Sequence, residues 1–166
     1  MSVILIGMPS SGKSTVGVIL AKRLGYSFID SDLLIQKREG RLLCELIEEL
    51  GVERFLQIEG EANRSITDKQ AVIATGGSAI YDGMAMEHLK ELGSIVYLEI
   101  SYNEMLERLG DYSHRGIAMR EGVSLEDMYN ERKGLYERYA DITINAEKFS
   151  ISSAIEEIIE RLGEKK

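Results

Sequence analysis

The sequence VILIGMPSSGKST, Val3 to Thr15, runs an unbroken apolar stretch into a glycine-rich segment that opens a helical pattern. Continuous rather than alternating apolar residues, as in Val3 to Ile6, mark a strand covered on both faces. Gly7, Gly12, Lys13 and Ser14 then satisfy G-x-x-x-x-G-K-[ST], with a strand before the motif and a helical stretch from Lys13 to Leu24 after it. Small residues are needed because successive backbone N–H groups must curl around phosphate oxygens, and the new helix N-terminus adds positive potential. Gly7, Ser10, Ser11, Gly12, Lys13, Ser14 and Thr15 are therefore the expected nucleotide-binding residues. Lys13 is expected at the β/γ-phosphates and Ser14 on Mg²⁺. Pro9, the one proline of the chain, stiffens the loop.

Outward from this segment, short apolar runs read as further strands at Ser27 to Ile29, Ala71 to Thr75, Ser94 to Ile100 and Asp141 to Asn145, separated by helical patterning. Five strands alternating with helices predict an α/β fold, a three-layer sandwich around a parallel sheet. The last helix repeats Ile151, Ala154, Ile155, Ile158, Ile159 and Leu162 at helical spacing, with Ser153 and Glu156 as the expected capping box and Gly163 as its stop. With 166 residues and no linker-like composition, residues 1–166 are expected to form one domain. A net charge of −8 disfavours nucleic acid and anionic membranes as partners, since phosphate attraction needs a basic face. No apolar run is long enough to cross a bilayer and no basic leader precedes the first strand, so a cytoplasmic protein is expected. The lone Cys44, among Leu42, Leu43 and Leu46, reads as a core thiol.

A phosphate cradle gives a nucleotide and no reaction. No N-K-x-D element for guanine occurs between Val72 and Asn145, which lowers a GTPase reading. Asp30 and Asp32, in FIDSD, close the second strand at the edge that faces the cradle. One carboxylate suits Mg²⁺ and the other an acceptor hydroxyl, whose proton it would take, although both could also serve as helix N-caps. Gly76 and Gly77, in ATGGSAI, follow the third strand and let a substrate approach the backbone. His88, in MEHLKEL, reads as a solvated helix residue, and Glu45, Glu48, Glu49 and Glu53 as a wet helix face.

Across most of its length the chain resembles the shikimate kinase family: GMPSSGKSTVG, LAKRLGYSFIDSD followed by GRLLCELIEELG, ERFLQIE, ATGG, VYLEIS and ERKGLYERYAD carry the likeness in order. The resemblance implies strand order 2-3-1-4-5, a lid at about 110–122 and an acceptor-binding helical segment at about 32–62. It implies transfer of the γ-phosphoryl of ATP to the 3-hydroxyl of shikimate, with Mg²⁺, by a monomer. Asp32 matches the aspartate on substrate hydroxyls and Asp30 the Mg²⁺-associated one. Arg132 matches an arginine for the substrate carboxylate, and Gly76 and Gly77 the first two of three substrate-lining glycines. Arg108 matches an arginine on adenine and Arg115 one that reaches the phosphates, so Lys13, Asp32 and Arg115 are the implied catalytic residues.

The departures gather on the acceptor side. Leu56 stands where the family has a second carboxylate-binding arginine, and Arg54 points elsewhere on a helix. Glu59, which accompanies that arginine, is expected to be unpartnered or to repel an anion. Ser78 replaces the third glycine, and RGIA, Arg115 to Ala118, replaces RPLL, exchanging a proline for Gly116. His114 beside Arg115 could touch phosphate or stay in solvent. These differences leave the acceptor open between shikimate and another hydroxylated metabolite, a sugar acid, polyol or amino alcohol. A non-catalytic ATP-binding module is the remaining alternative; Asp32, Arg132 and the paired glycines, which nucleotide sensing does not need, argue against it.

Overall fold

The computed structural model describes residues 1–110, 116–148 and 150–164. Five strands, β1 (Ser2–Ile6), β2 (Ser27–Asp30), β3 (Ala71–Ala74), β4 (Gly93–Glu99) and β5 (Ile142–Asn145), pair in the order β2-β3-β1-β4-β5. All four pairings are parallel, with Val3 opposite both Val72 and Ser94. This is the expected sheet, with each strand within a residue of its reading. The central β1 is buried along its whole length, while the edge strand β5 alternates, which is why VILI is the plainest strand signal and ITIN a weaker one.

Successive side chains of β1 point to opposite faces, and two apolar layers follow from that period. Val3 and Leu5 pack with Val16 and Leu20 of α1 (Lys13–Leu24) and with Ile155 and Ile158 of α8 (Ile151–Glu164). Ile4 and Ile6 face Met86 of α5 (Gly83–Leu92), Met105 of α6 (Tyr102–Leu109) and Tyr136 of α7 (Leu125–Tyr139). A third cluster lies beyond the β2 edge, in α2 (Ser31–Glu39), α3 (Leu43–Leu50) and α4 (Val52–Arg64), where Ile35, Leu46, Phe55 and Ile58 pack with Ala118. Because every strand runs the same way, the segments that follow β1, β2 and β3 open on one edge of the sheet.

Three local readings need correction. The first turn of α8 is capped by Ser150, whose Oγ accepts from Ser153 N at 3.2 Å, so Ser153 is inside the helix, and Gly163 lies within its last turn rather than ending it. Cys44 is half-buried, because α3 turns Leu43 and Leu46 inward and leaves Leu42 exposed. His88 is also half-buried, with Nε2 2.7 Å from the Ile66 carbonyl, which ties α5 to the end of α4.

Candidate active site

The glycine loop bridges β1 and α1. Gly12 takes φ +94° and Ser10 φ +65°, a left-handed conformation uncommon outside glycine, so the turn is tight enough for side chains to double back on the backbone. Lys13 does so: Nζ donates to the carbonyls of Gly7 at 2.8 Å and Met8 at 2.7 Å, and to Ser11 Oγ at 3.3 Å. Burial holds its ammonium down to about 8, the negative charge of Asp32 opposing that shift.

Asp30 divides its carboxylate between two tasks. Oδ1 accepts from the backbone N–H groups of Asp32 at 3.0 Å and Leu33 at 3.3 Å, capping α2, while Oδ2 accepts from Ser14 Oγ at 2.7 Å. Capping and proximity to the glycine loop thus coexist in one residue. The adjacent hydroxyl and carboxylate oxygens of Ser14 and Asp30 are hard donors of the kind that suit a small divalent cation. Asp32, in the first turn of α2, is half-buried, and its carboxyl is pushed up to about 6 by desolvation, then by Asp30, with Lys13 opposing.

One cavity of about 460 Å³ joins the expected residues. Ser10, Gly12, Lys13, Ser14, Thr15 and Arg108 line one end. Asp32, Glu59, Gly76, Gly77, Ser78 and Arg132 line the other. Arg108, on α6, donates to Glu104 Oε1 at 2.5 Å and to the Ala146 carbonyl at 3.2 Å, which holds it at the rim. Gly7 lies just behind the loop, where a Cβ would meet the Leu98 carbonyl at 2.7 Å, and Ser11 is buried beneath it. Arg115 and His114 lie outside the described residues.

Arg132 is 1% exposed, and its Nη2 donates to the Ala118 carbonyl at 2.5 Å. Its Cζ sits 5.5 Å from the centre of the Tyr81 ring, and its buried Nε finds no acceptor among the described residues. One turn later Tyr136 donates to the Gly77 carbonyl at 2.5 Å, fixing the glycine turn from α7. Sequence reasoning missed Tyr136; its i+4 spacing from Arg132 places it on the same helix face and was the available signal.

Two acceptor-side expectations change. Glu59 is not unpartnered: it is 1% exposed, and Ser78 Oγ donates to its Oε2 at 2.5 Å. Leu56 does not line the main cavity, because the turn of α4 that aims Phe55 and Glu59 inward carries it to an adjoining cavity shared with Glu59, Ser78, Tyr81 and Arg120. Arg54 is exposed and bonds Gln57 Oε1 at 2.9 Å, as its helix position requires.

A cavity with a phosphate loop at one end and buried carboxyl and guanidinium groups at the other can hold two substrates face to face, as direct group transfer requires. The chain is a P-loop phosphotransferase with a hydroxyl acceptor. The sequence model of shikimate kinase matches residues 9–163. A shikimate kinase of Sulfurihydrogenibium sp. (strain YO3AOP1) is 34% identical over 162 residues, 97% of each chain, and one of Moorella thermoacetica is 36% identical over 163 residues, 97% of this chain and 94% of that one. Among solved structures, the shikimate kinase of Acinetobacter baumannii in complex with shikimate superposes with a TM-score of 0.90 at 30% identity, over 99% of this chain and 94% of that one. The chain belongs to the shikimate kinase family.

Proposed function

We propose that this protein phosphorylates the 3-hydroxyl of shikimate with ATP, residues 1–166 acting as one kinase domain. The observation that carries the reading is the cavity in which the glycine loop, the half-buried Asp32 and the buried Arg132 converge. Gly7, Ser10, Ser11, Gly12 and Thr15 cradle the phosphates with Lys13, whose charge meets the β/γ-phosphates. Arg108 packs on adenine, and Arg115 stabilises charge that develops on the transferred group. Ser14 and Asp30 would hold Mg²⁺, which when bound neutralises phosphate charge. Arg132 binds the acceptor carboxylate, to which its orphaned Nε is suited, and Gly76 and Gly77 admit the ring against the backbone.

Transfer forms a bond from the acceptor oxygen to the γ-phosphorus and breaks the bond to the ADP leaving oxygen; the hydroxyl proton passes to Asp32. With its carboxyl near 6, Asp32 is ionised at neutral pH and is a stronger base than an exposed aspartate. Closure of the segment at about 110–122 over this cavity, with the helices at about 32–62 as its floor, excludes water as a competing acceptor. The protein acts in the cytoplasm as a monomer.

A second reading, another hydroxylated metabolite as acceptor, draws support from Leu56 and Ser78. ADP release from Mg-ATP separates the two, measured with shikimate, with no acceptor, and with hydroxylated acids, polyols and amino alcohols. Strong stimulation by sub-millimolar shikimate is expected. Stimulation only by another compound would move the acceptor to that compound, and release independent of every acceptor would overturn the kinase reading.

A further inference from the structure

The mechanism leaves Glu59 without a task, yet it is a carboxyl group 1% exposed in the wall of the acceptor cavity. Ser78, itself 5% exposed, engages Oε2 at 2.5 Å, while the buried Oε1 has no donor among the described residues. A Cβ at Gly76 would collide with that Oε1 and with Asp32 Oδ1, so both carboxyls press against the backbone on which the acceptor would lie. The cations facing Glu59 donate elsewhere: Arg132 to the Ala118 carbonyl, and Lys13 to the carbonyls of Gly7 and Met8. Leu56, three residues earlier on α4, brings no charge to the adjoining cavity that it shares with Glu59 and Ser78.

We propose that Ser78 is a specificity-determining positioning residue: its hydroxyl holds the Glu59 carboxyl by Oε2 and leaves Oε1 turned to a hydroxyl of the bound acceptor. This rests on the reading of the acceptor as a hydroxylated monoanion. While Glu59 is neutral, Oε1 can carry the proton and donate it to an acceptor oxygen, and the acceptor carboxylate meets only the Arg132 guanidinium. Once Glu59 ionises, a second negative charge stands beside that guanidinium and opposes an anionic acceptor. Glu59 is faced by Asp32 from α2, Lys13 from α1 and Arg132 from α7. Burial pushes its carboxyl up to about 7; the Ser78 hydrogen bond and the two cations oppose this, and Asp32 adds to it. Acceptor affinity is therefore full below about 7 and falls as pH rises through it.

The test compares wild type, Ser78→Ala, Ser78→Thr and Glu59→Gln in KM for shikimate and kcat at saturating Mg-ATP from pH 6 to 8.5. Ser78→Ala is expected to raise KM roughly tenfold, with a smaller change in kcat, because a hydrogen bond to a buried carboxyl is lost. Without the hydroxyl that favours the ionised form, its climb in KM begins at higher pH than in wild type. Ser78→Thr restores the wild-type profile, and Glu59→Gln abolishes the climb. A KM in Ser78→Ala within twofold of wild type, with an unmoved profile, overturns the proposal. Carbon-13 NMR of the Glu59 carboxyl reads the clamp without turnover, and its titration must move upward in Ser78→Ala. An unmoved titration overturns the clamp whichever acceptor is active, whereas a wild type that ignores shikimate while the titration moves overturns the acceptor reading on which the proposal rests.

Discussion

The two ends of the cavity differ in how their polar atoms are satisfied. At the glycine loop, the Lys13 ammonium, the Ser14 hydroxyl and both oxygens of Asp30 are engaged with one another or with backbone. At the acceptor end, Glu59 Oε1 and Arg132 Nε are buried without partners among the described residues, although their neighbouring atoms are held by Ser78 and Ala118. The first end is a local structure that completes itself. The second leaves two buried groups open, a carboxyl and a guanidinium, which is what a ligand bearing both hydroxyls and a carboxylate satisfies.

Removing a group from the self-complete end should have the largest effect. Lys13→Met is expected to lower kcat/KM on the order of a thousandfold, since the charge at the transferring phosphates has no substitute. Its far-ultraviolet circular dichroism should match wild type, because the Lys13 ammonium hydrogen-bonds within the glycine loop, to Gly7, Met8 and Ser11, and joins no two helices or strands. A variant retaining most activity would remove the phosphate role of this lysine. At the acceptor end, Arg132→Lys is expected to raise KM for a carboxylate acceptor about ten- to hundredfold, the value of one charge-assisted contact of roughly 1.5 to 3 kcal/mol. A lysine cannot hold the Ala118 carbonyl and a planar carboxylate together. Neutral polyols should lose little, and equal losses for charged and neutral acceptors would show that Arg132 supports the fold alone.

The smallest effect is expected at Leu56. An arginine there would enter the adjoining cavity beside Glu59 and Ser78, neutralise the carboxylate and lower KM for shikimate by about three- to tenfold. An unchanged KM would remove Leu56 as a determinant of the acceptor.

The same contrast governs how much of the molecule was legible in its sequence. Parallel strands covered on both faces leave continuous apolar runs, so VILI, AVIA and IVYL announce their elements directly. The glycine loop is equally plain, because its chemistry is confined to consecutive residues. The acceptor end is assembled from separate segments, and its decisive contact joins Ser78 to Glu59 across a sequence separation of 19. Spacing alone could place Glu59 on a helix but not tell which residue its carboxyl meets. The direction of Leu56 likewise follows from how α4 is rotated by the packing of Phe55 and Ile58, a tertiary fact. His88 read as a surface residue because nothing local reveals the Ile66 carbonyl, 22 residues away.

Phosphorus-31 NMR of the purified protein with Mg-ATP and shikimate reads the fate of the γ-phosphoryl group itself. The cavity that joins the two ends requires a new phosphomonoester resonance that grows with ADP, appears only when shikimate is present and vanishes in Lys13→Met. ADP formed with inorganic phosphate alone, at a rate indifferent to shikimate, would mean that the two ends do not work as one site on this acceptor.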